Sequence, residues 1–235
     1  MIFGTRVMST QLIERLFHFR TKPRYKKIKA DPRRGDAMTD DPLPQPADLF
    51  HCDGRGRSIN WEYLVQEASL EEVSDYLLSF ESYPRAKAMA LIMMVSCAKR
   101  CVQIFLDWGN MCDDPWPHRS YLADALRRAL AEVTLIELLE AAERTFYVGL
   151  PDFVPVWRGC ERGRERGLSW TTDRAIAEGF ARGKRCVNKY PTLACAEIPK
   201  RYIFGVFLSR QESELALDPR RLRKLRKEPL TPEDV

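Results

Sequence analysis

Three short polar signatures lie in the last third of this 235-residue chain: Trp157-Arg158-Gly159, Gly167-Leu168-Ser169-Trp170-Thr171, and Glu212-Ser213-Glu214 leading into Leu215-Ala216-Leu217. An arginine can fork onto a phosphate in a way that lysine cannot. The glycine after Arg158 lets a ligand approach the backbone. Ser169 and Thr171 alternate on a predicted strand, so their hydroxyls share a face and can hydrogen-bond a carboxylate or a ribose hydroxyl. Glu212 and Glu214 are two apart, which on a strand puts both carboxylates on one face, where like charges repel. Such a pair suits an oxocarbenium-like transition state: one group stabilises the sugar cation and the other manages a proton or nucleophile. An arginine, hydroxyls and paired carboxylates brought together in this way can hold and split a charged nucleotide. Each signature alone also has an ordinary structural explanation. Arg158-Gly159 reads equally as a surface turn, Ser169 to Thr171 as plain strand composition, and the two glutamates as solvent-facing edge residues. Phe180, on the helix that follows, either stacks on a flat ring or fills the core.

The elements that must position these residues follow from patterning. Strands are expected over 154–158, 168–172, 192–198, 202–208 and 213–217, with a helix over 174–182 capped by Asp173. Residues 58–147 read as helical. Ser69 with Glu72 forms a capping box opening a helix over 70–80. A long apolar helix is expected from near Pro84 through Trp108, ended by Gly109-Asn110. Another starts near Ser120 with Leu122, Leu126, Leu130 and Val133 on one face, and 134–147 continues or restarts it. Helices followed by strands, with no P-loop or dinucleotide fingerprint, predict an α+β fold. Residues 1–57 read as a basic extension ending in the linker Pro42-Leu43-Pro44-Gln45-Pro46. The remaining domain, 58–235, divides into a helical part (58–147), a β-rich part (148–220) and a basic tail (220–235).

Composition is that of a soluble globular protein, 45% apolar and 30% charged. Charge is uneven: about +8 over 1–35, about −9 over 36–150 and about +6 over 151–235. The overall +5 is too small to assign nucleic-acid binding from charge alone. The longest apolar candidate, 88–106, is broken by Lys99, Arg100 and Gln103, so no membrane partner is expected. Arg6, Glu14 and Arg15 interrupt any secretory signal. Seven cysteines without a spacing framework predict reduced thiols and a cytoplasmic location. Cys97 and Cys101 read as buried thiols of one apolar helix rather than as metal ligands, and no metal is expected. The run 220–227 reads as a solvated helix face or a nucleic-acid patch.

Taken together and in order, Arg158, Ser169 and Glu212-Ser213-Glu214 resemble the mono-ADP-ribosyltransferases of the arginine–serine–glutamate class, the clan of clostridial and related bacterial toxins. The resemblance covers roughly residues 58–220. It implies helices packed on a small two-sheet β core, with NAD as substrate. In that clan an aromatic-Arg-Gly anchors the NAD phosphates, a Ser-Thr-Ser strand supports the pocket, and a Glu-x-Glu ends a loop that contacts the acceptor. Carried over, Glu214 binds the ribose 2′-hydroxyl and stabilises the cation, Glu212 orients or deprotonates the acceptor, and Ser169 supports them. Arg158, Gly159, Ser169, Trp170, Thr171 and Phe180 would contact NAD. Trp170 and Thr171 replace the last two residues of Ser-Thr-Ser, and only a short Gly-rich, basic loop joins Arg158 to Ser169. The chain therefore looks like a compact form, similar to phage-borne or toxin–antitoxin members, with an antitoxin or immunity partner. All three histidines precede the catalytic strands, which disfavours the histidine–tyrosine–glutamate class. The Glu-x-Glu implies a protein arginine acceptor, while the basic ends keep a nucleic-acid acceptor open. Water as acceptor (an NAD glycohydrolase) and a non-catalytic binding module are the other readings.

Overall fold

The computed structural model describes residues 52–112, 115–183, 188–209 and 212–230. All belong to the unit Pro44–Val235. Residues 1–51 of the expected basic extension, the proline-rich linker among them, lie outside the described residues. The chain folds as α+β, helices first. The helices are α1 (Trp61–Gln66), α2 (Leu70–Leu78), α3 (Ser82–Val95), α4 (Ala98–Trp108), α5 (Arg119–Ala129), α6 (Leu135–Leu138), α7 (Ala141–Gly149) and α8 (Arg174–Ala181). The strands are β1 (Phe153–Glu161), β2 (Ser169–Thr171), β3 (Pro191–Pro199), β4 (Ile203–Phe207), β5 (Glu214–Leu217) and β6 (Arg223–Pro229).

Local capping chemistry starts several helices where the sequence places them. The Ser69 hydroxyl accepts from the Glu72 N–H, and the Glu72 carboxylate accepts from the Ser69 N–H, a reciprocal capping box at α2. Asp173 accepts from the N–H groups of Ala175 and Ile176 at the start of α8. The expected single helix from Pro84 to Trp108 is instead two. Ser96 and Cys97 are both extended between α3 and α4, which lets the two apolar helices pack on one another. The break also separates the cysteines. Cys101 is buried in α4, while Cys97 caps it from solvent, so only one of the pair is a core thiol. Residues 134–149 divide similarly into α6 and α7 at the extended Leu139-Glu140.

The helical core is built from Leu77, Met89, Ile92, Met93, Ile104, Leu122 and Leu126, all essentially solvent-free. Burial pushes the Cys101 thiol up to about 12, against the opposing pull of Arg128. Burial also raises the Cys160 thiol in β1, with Arg158 opposing it. Thiolate is the reacting form. At pH 8 Cys97 should therefore alkylate within the native protein, whereas Cys101 and Cys160 should react only in denaturant; peptide mapping after iodoacetamide treatment checks this.

The strands form one antiparallel sheet in the order β4-β5-β2-β1-β3-β6, in place of the expected two-sheet core. The physical reason is the short β2. It pairs with β5 through Ser169↔Ala216, Trp170↔Leu215 and Thr171↔Glu214, and it joins β1 through the single pair Trp157↔Thr171. Two three-stranded halves thus become one sheet through one residue pair. The basic run 220–227 forms no helix: Arg223–Lys227 lie in β6. β6 is an edge strand on β3, where its exposed Lys and Arg side chains blunt further strand addition. Ladder hydrogen bonds to β3 outweigh its helical propensity.

Two of the contacts between helices and sheet matter most here. Phe105 of α4 meets Phe207 of β4 edge-on at 6.0 Å, over Gly205. At the other, α8 lies against β1. Beyond β5, the fully buried Asp218 accepts from Arg127 Nε of α5 at 2.9 Å and from the Arg220 N–H at 3.0 Å. Arg127 also reaches Asp124, which burial would push up but which the hydrogen bonds from Arg127 and Arg220 hold below the usual carboxylate range. Removing Asp218 leaves the partly buried Arg127 guanidinium with Asp124 alone and takes away the acceptor of its Nε–H. Asp218→Ala should cost about 2 kcal/mol, the buried-pair loss discounted for the solvent-accessible end of Arg127; urea unfolding measures it.

Candidate active site

A cleft of about 590 Å³ opens beside β1 and β2. The eight residues singled out in the sequence (Arg158, Gly159, Ser169, Trp170, Thr171, Phe180, Glu212 and Glu214) all line it. They come from β1, β2, α8, the turn before β5, and β5 itself. The cross-strand pairs Trp157↔Thr171↔Glu214 place these three residues in one row on the same face of the sheet.

The two glutamates converge by a different route from the one expected. Glu212 precedes β5, and only Glu214 is in the strand. Between them Ser213 adopts a left-handed conformation, φ 43°. A non-glycine residue there is uncommon and must be held by its surroundings. The hold comes from β2: the Thr171 hydroxyl donates to the Glu212 carbonyl at 2.6 Å, and the Thr172 N–H donates to the Ser213 carbonyl at 3.3 Å. Thr171 is therefore committed to shaping the turn that carries the carboxylates. Its oxygen also accepts from the Asp173 N–H at 3.0 Å, linking the turn to the start of α8.

The other expected contacts have definite structural duties. The Arg158 guanidinium donates to the carbonyls of Arg164 and Ser169, using two of its five N–H donors to tie the loop between β1 and β2 to the strand. Gly167 lies directly against that guanidinium, which any side chain there would have to displace. Gly159 is small because of α8, not because of a ligand: an added Cβ would meet the Ala177 carbonyl and the Ala181 N–H, both backbone. Trp170 is buried, and its indole N–H donates to the Gly167 carbonyl at 2.9 Å. Phe180 is half-buried at the cleft, and the Asn188 amide caps α8 by donating to the Phe180 and Ala181 carbonyls, each at 2.9 Å.

Sequence reasoning missed the wall that the helical part contributes. Trp116 and Arg119, from the 3-10 turn and start of α5, line the cleft. The Arg119 guanidinium stacks 3.7 Å from the centre of the Trp116 ring and donates to the Trp116 carbonyl at 2.7 Å. Burial first, and then the nearby Arg164 cation, push Arg119 below its ordinary pKa. Arg119, Arg158 and Arg164 thus put three cations around a cleft whose opposite chemistry is the Glu212–Glu214 pair. No local signal marks Trp116 or Arg119, because their role depends on where α5 is laid against the sheet.

No family model, curated protein or solved structure matches the chain. Among the described residues, no group of three His, Cys, Asp or Glu is placed to hold a metal ion, and no helix is long and apolar enough to cross a membrane. The site has to be read from its own chemistry. It offers guanidiniums for an anion, carboxylates for a developing cation, flanking aromatic rings, and a volume within the roughly 300–1,000 Å³ of small-molecule sites.

Proposed function

We propose that this protein is a mono-ADP-ribosyltransferase that cleaves NAD and transfers ADP-ribose to a macromolecular acceptor. The observation that carries the proposal is the convergence of Arg158, Ser169, Glu212 and Glu214, distant in sequence, on one cleft. NAD carries a diphosphate and a cationic nicotinamide-ribose. Its charges complement the arginines and the glutamates of this cleft in turn.

In the reaction the ribose C1′–N1 bond breaks and its electron pair leaves with nicotinamide. The sugar becomes oxocarbenium-like. Glu214, half-buried at the start of β5, stabilises that charge. An acceptor lone pair forms the new bond to C1′, and its proton passes to Glu212. Arg158 holds the loop carrying Arg164 and Arg119 faces it, so the diphosphate is gripped by fixed rather than searching cations.

Incubation with labelled NAD and a cell lysate, with and without nuclease, tests this reading. Label on macromolecules supports transfer. Nicotinamide release without label makes the protein an NAD glycohydrolase. Silence in both channels leaves the fold a non-catalytic binding module and sinks the proposal. Uncontrolled NAD loss harms a producing cell, so we place the protein as a bacterial or phage toxin or effector with a neutralising partner. Growth arrest on expression of the intact chain, absent for Glu214→Gln, is the expected result.

A further inference from the structure

We infer that the acceptor is a single-stranded polynucleotide, docked on a basic rim beside the cleft. The inference rests on the transferase reading and names its substrate class. The rim joins three segments that are remote in sequence. The loop after β1 presents Arg162, Arg164 and Arg166, all exposed. Lys189 and Tyr190 lie beside it: the Arg162 N–H donates to the Tyr190 carbonyl at 2.9 Å. The end of β6 closes the rim through Lys227, whose ammonium sits 3.0 Å from the Glu165 carboxylate. Arg164, Glu161 and Asn188 belong both to this rim and to the cleft lining, so the two are continuous.

The acidic groups within the rim are already engaged. Burial would push the Glu165 carboxyl up, but the Gly163 N–H and Lys227 more than offset this and leave it below the usual range. Glu161 accepts from the Tyr190 N–H at 3.0 Å. Glu228, exposed at the end of β6, is paired with Arg174, so the net charge facing outward is cationic. Tyr190 is half exposed, and its ring has the Arg162 guanidinium at 5.4 Å and the Lys189 ammonium at 5.5 Å. An exposed ring flanked by cations is a stacking platform for a base with its phosphate neutralised alongside. A duplex hides its bases, whereas a single strand can stack one base here and send the next into the cleft.

The same charges argue against a protein arginine. A guanidinium acceptor would have to approach Arg119, Arg162 and Arg164 within a Debye length of about 8 Å at physiological salt. A polynucleotide has the complementary charge. Its base amine or hydroxyl supplies the electron pair for the new C1′ bond, releases one proton to Glu212, and nicotinamide departs with the pair from the broken bond.

The test separates docking from chemistry. Binding of fluorescein-labelled single-stranded RNA and DNA 12-mers of one sequence is followed by anisotropy with the full-chain Glu214→Gln protein between 50 and 200 mM salt. One or both strands should bind, with a log Kd against log salt slope of about 2, as expected for three phosphate contacts. Arg162→Glu with Lys189→Glu should weaken binding at least about tenfold with an unchanged melting temperature. Tyr190→Ala should weaken it several-fold, and Tyr190→Phe should not. In the activity arm, wild-type protein receives labelled NAD with each strand, the duplex, or an arginine-rich peptide. Label on RNA alone, DNA alone or both supports the inference and says which polymer is used. Label on the peptide with none on either strand overturns it, as does strand binding indifferent to charge reversal. Salt-dependent binding without any NAD cleavage would leave the docking surface standing and defeat the transferase reading. Cleavage without strand binding would do the reverse.

Discussion

Glu214→Gln should lower the rate of NAD cleavage by about 10²–10³-fold, the usual effect of removing one preorganised electrostatic group from a reacting centre. The substitution keeps the shape of the side chain, removes its charge and replaces one acceptor oxygen with an NH2 donor. Glu214 is the first residue of β5, held by pairing to Thr171 on one side and Phe207 on the other. Its backbone ladder does not depend on its carboxylate, so the melting temperature should hardly move. The charge is needed most when C1′ becomes positive, so kcat should fall while KM for NAD changes little. Steady-state nicotinamide release gives both constants. Full activity in this variant would remove Glu214 from the site and with it the proposed chemistry.

Gly159→Ala should have the largest effect on the architecture of the cleft. The added methyl would fall well under 3.0 Å from the Ala177 carbonyl and the Ala181 N–H. Both are backbone atoms of one helix, so no side-chain rotation relieves the clash and α8 must shift as a body. Overpacking of this kind costs about 1–3 kcal/mol. At about 2–4 °C per kcal/mol for a domain of this size, the melting temperature should fall by up to roughly 10 °C. Function should suffer as well, since α8 carries Phe180 and its end is tied to Asn188, both on the cleft. A control separates crowding from backbone strain. Gly163 sits in the same region with φ +90° and open space where a Cβ would go. Gly163→Ala meets no atoms and should lose only the smaller penalty of a positive φ, about 1 kcal/mol. Scanning calorimetry of the two variants would show the difference, and equal losses would mean that α8 does not bear on Gly159.

Local signals in the chain were enough for the α+β class, the capping box at Ser69, the cap at Asp173 and the approximate positions of five strands. Each depends on residues within a few positions of one another: a side-chain oxygen and the N–H three residues on, or alternation along one strand. The order of Arg158, Ser169 and Glu214 along predicted strands was legible for the same reason. What could not be read were the choices made by distant partners. The run 220–227 has the composition of a helix, yet Arg223–Lys227 joined β6 because β3 offered a ladder. Ser96 and Cys97 broke a helix so that its halves could pack together. Gly159 looked like a place for a ligand and is a place for α8. Glu212 and Glu214 looked like neighbours on a strand, yet they meet at the cleft through a left-handed serine fastened by Thr171. Trp116 and Arg119 carried no local mark at all. The sequence by itself determined which chemical groups were available and which elements would carry them, since propensity, capping and periodicity act over a few residues. Only the tertiary structure decided which of those groups face the cleft and which are spent holding it together, because hydrogen bonding and close packing between remote segments commit each donor and each face once.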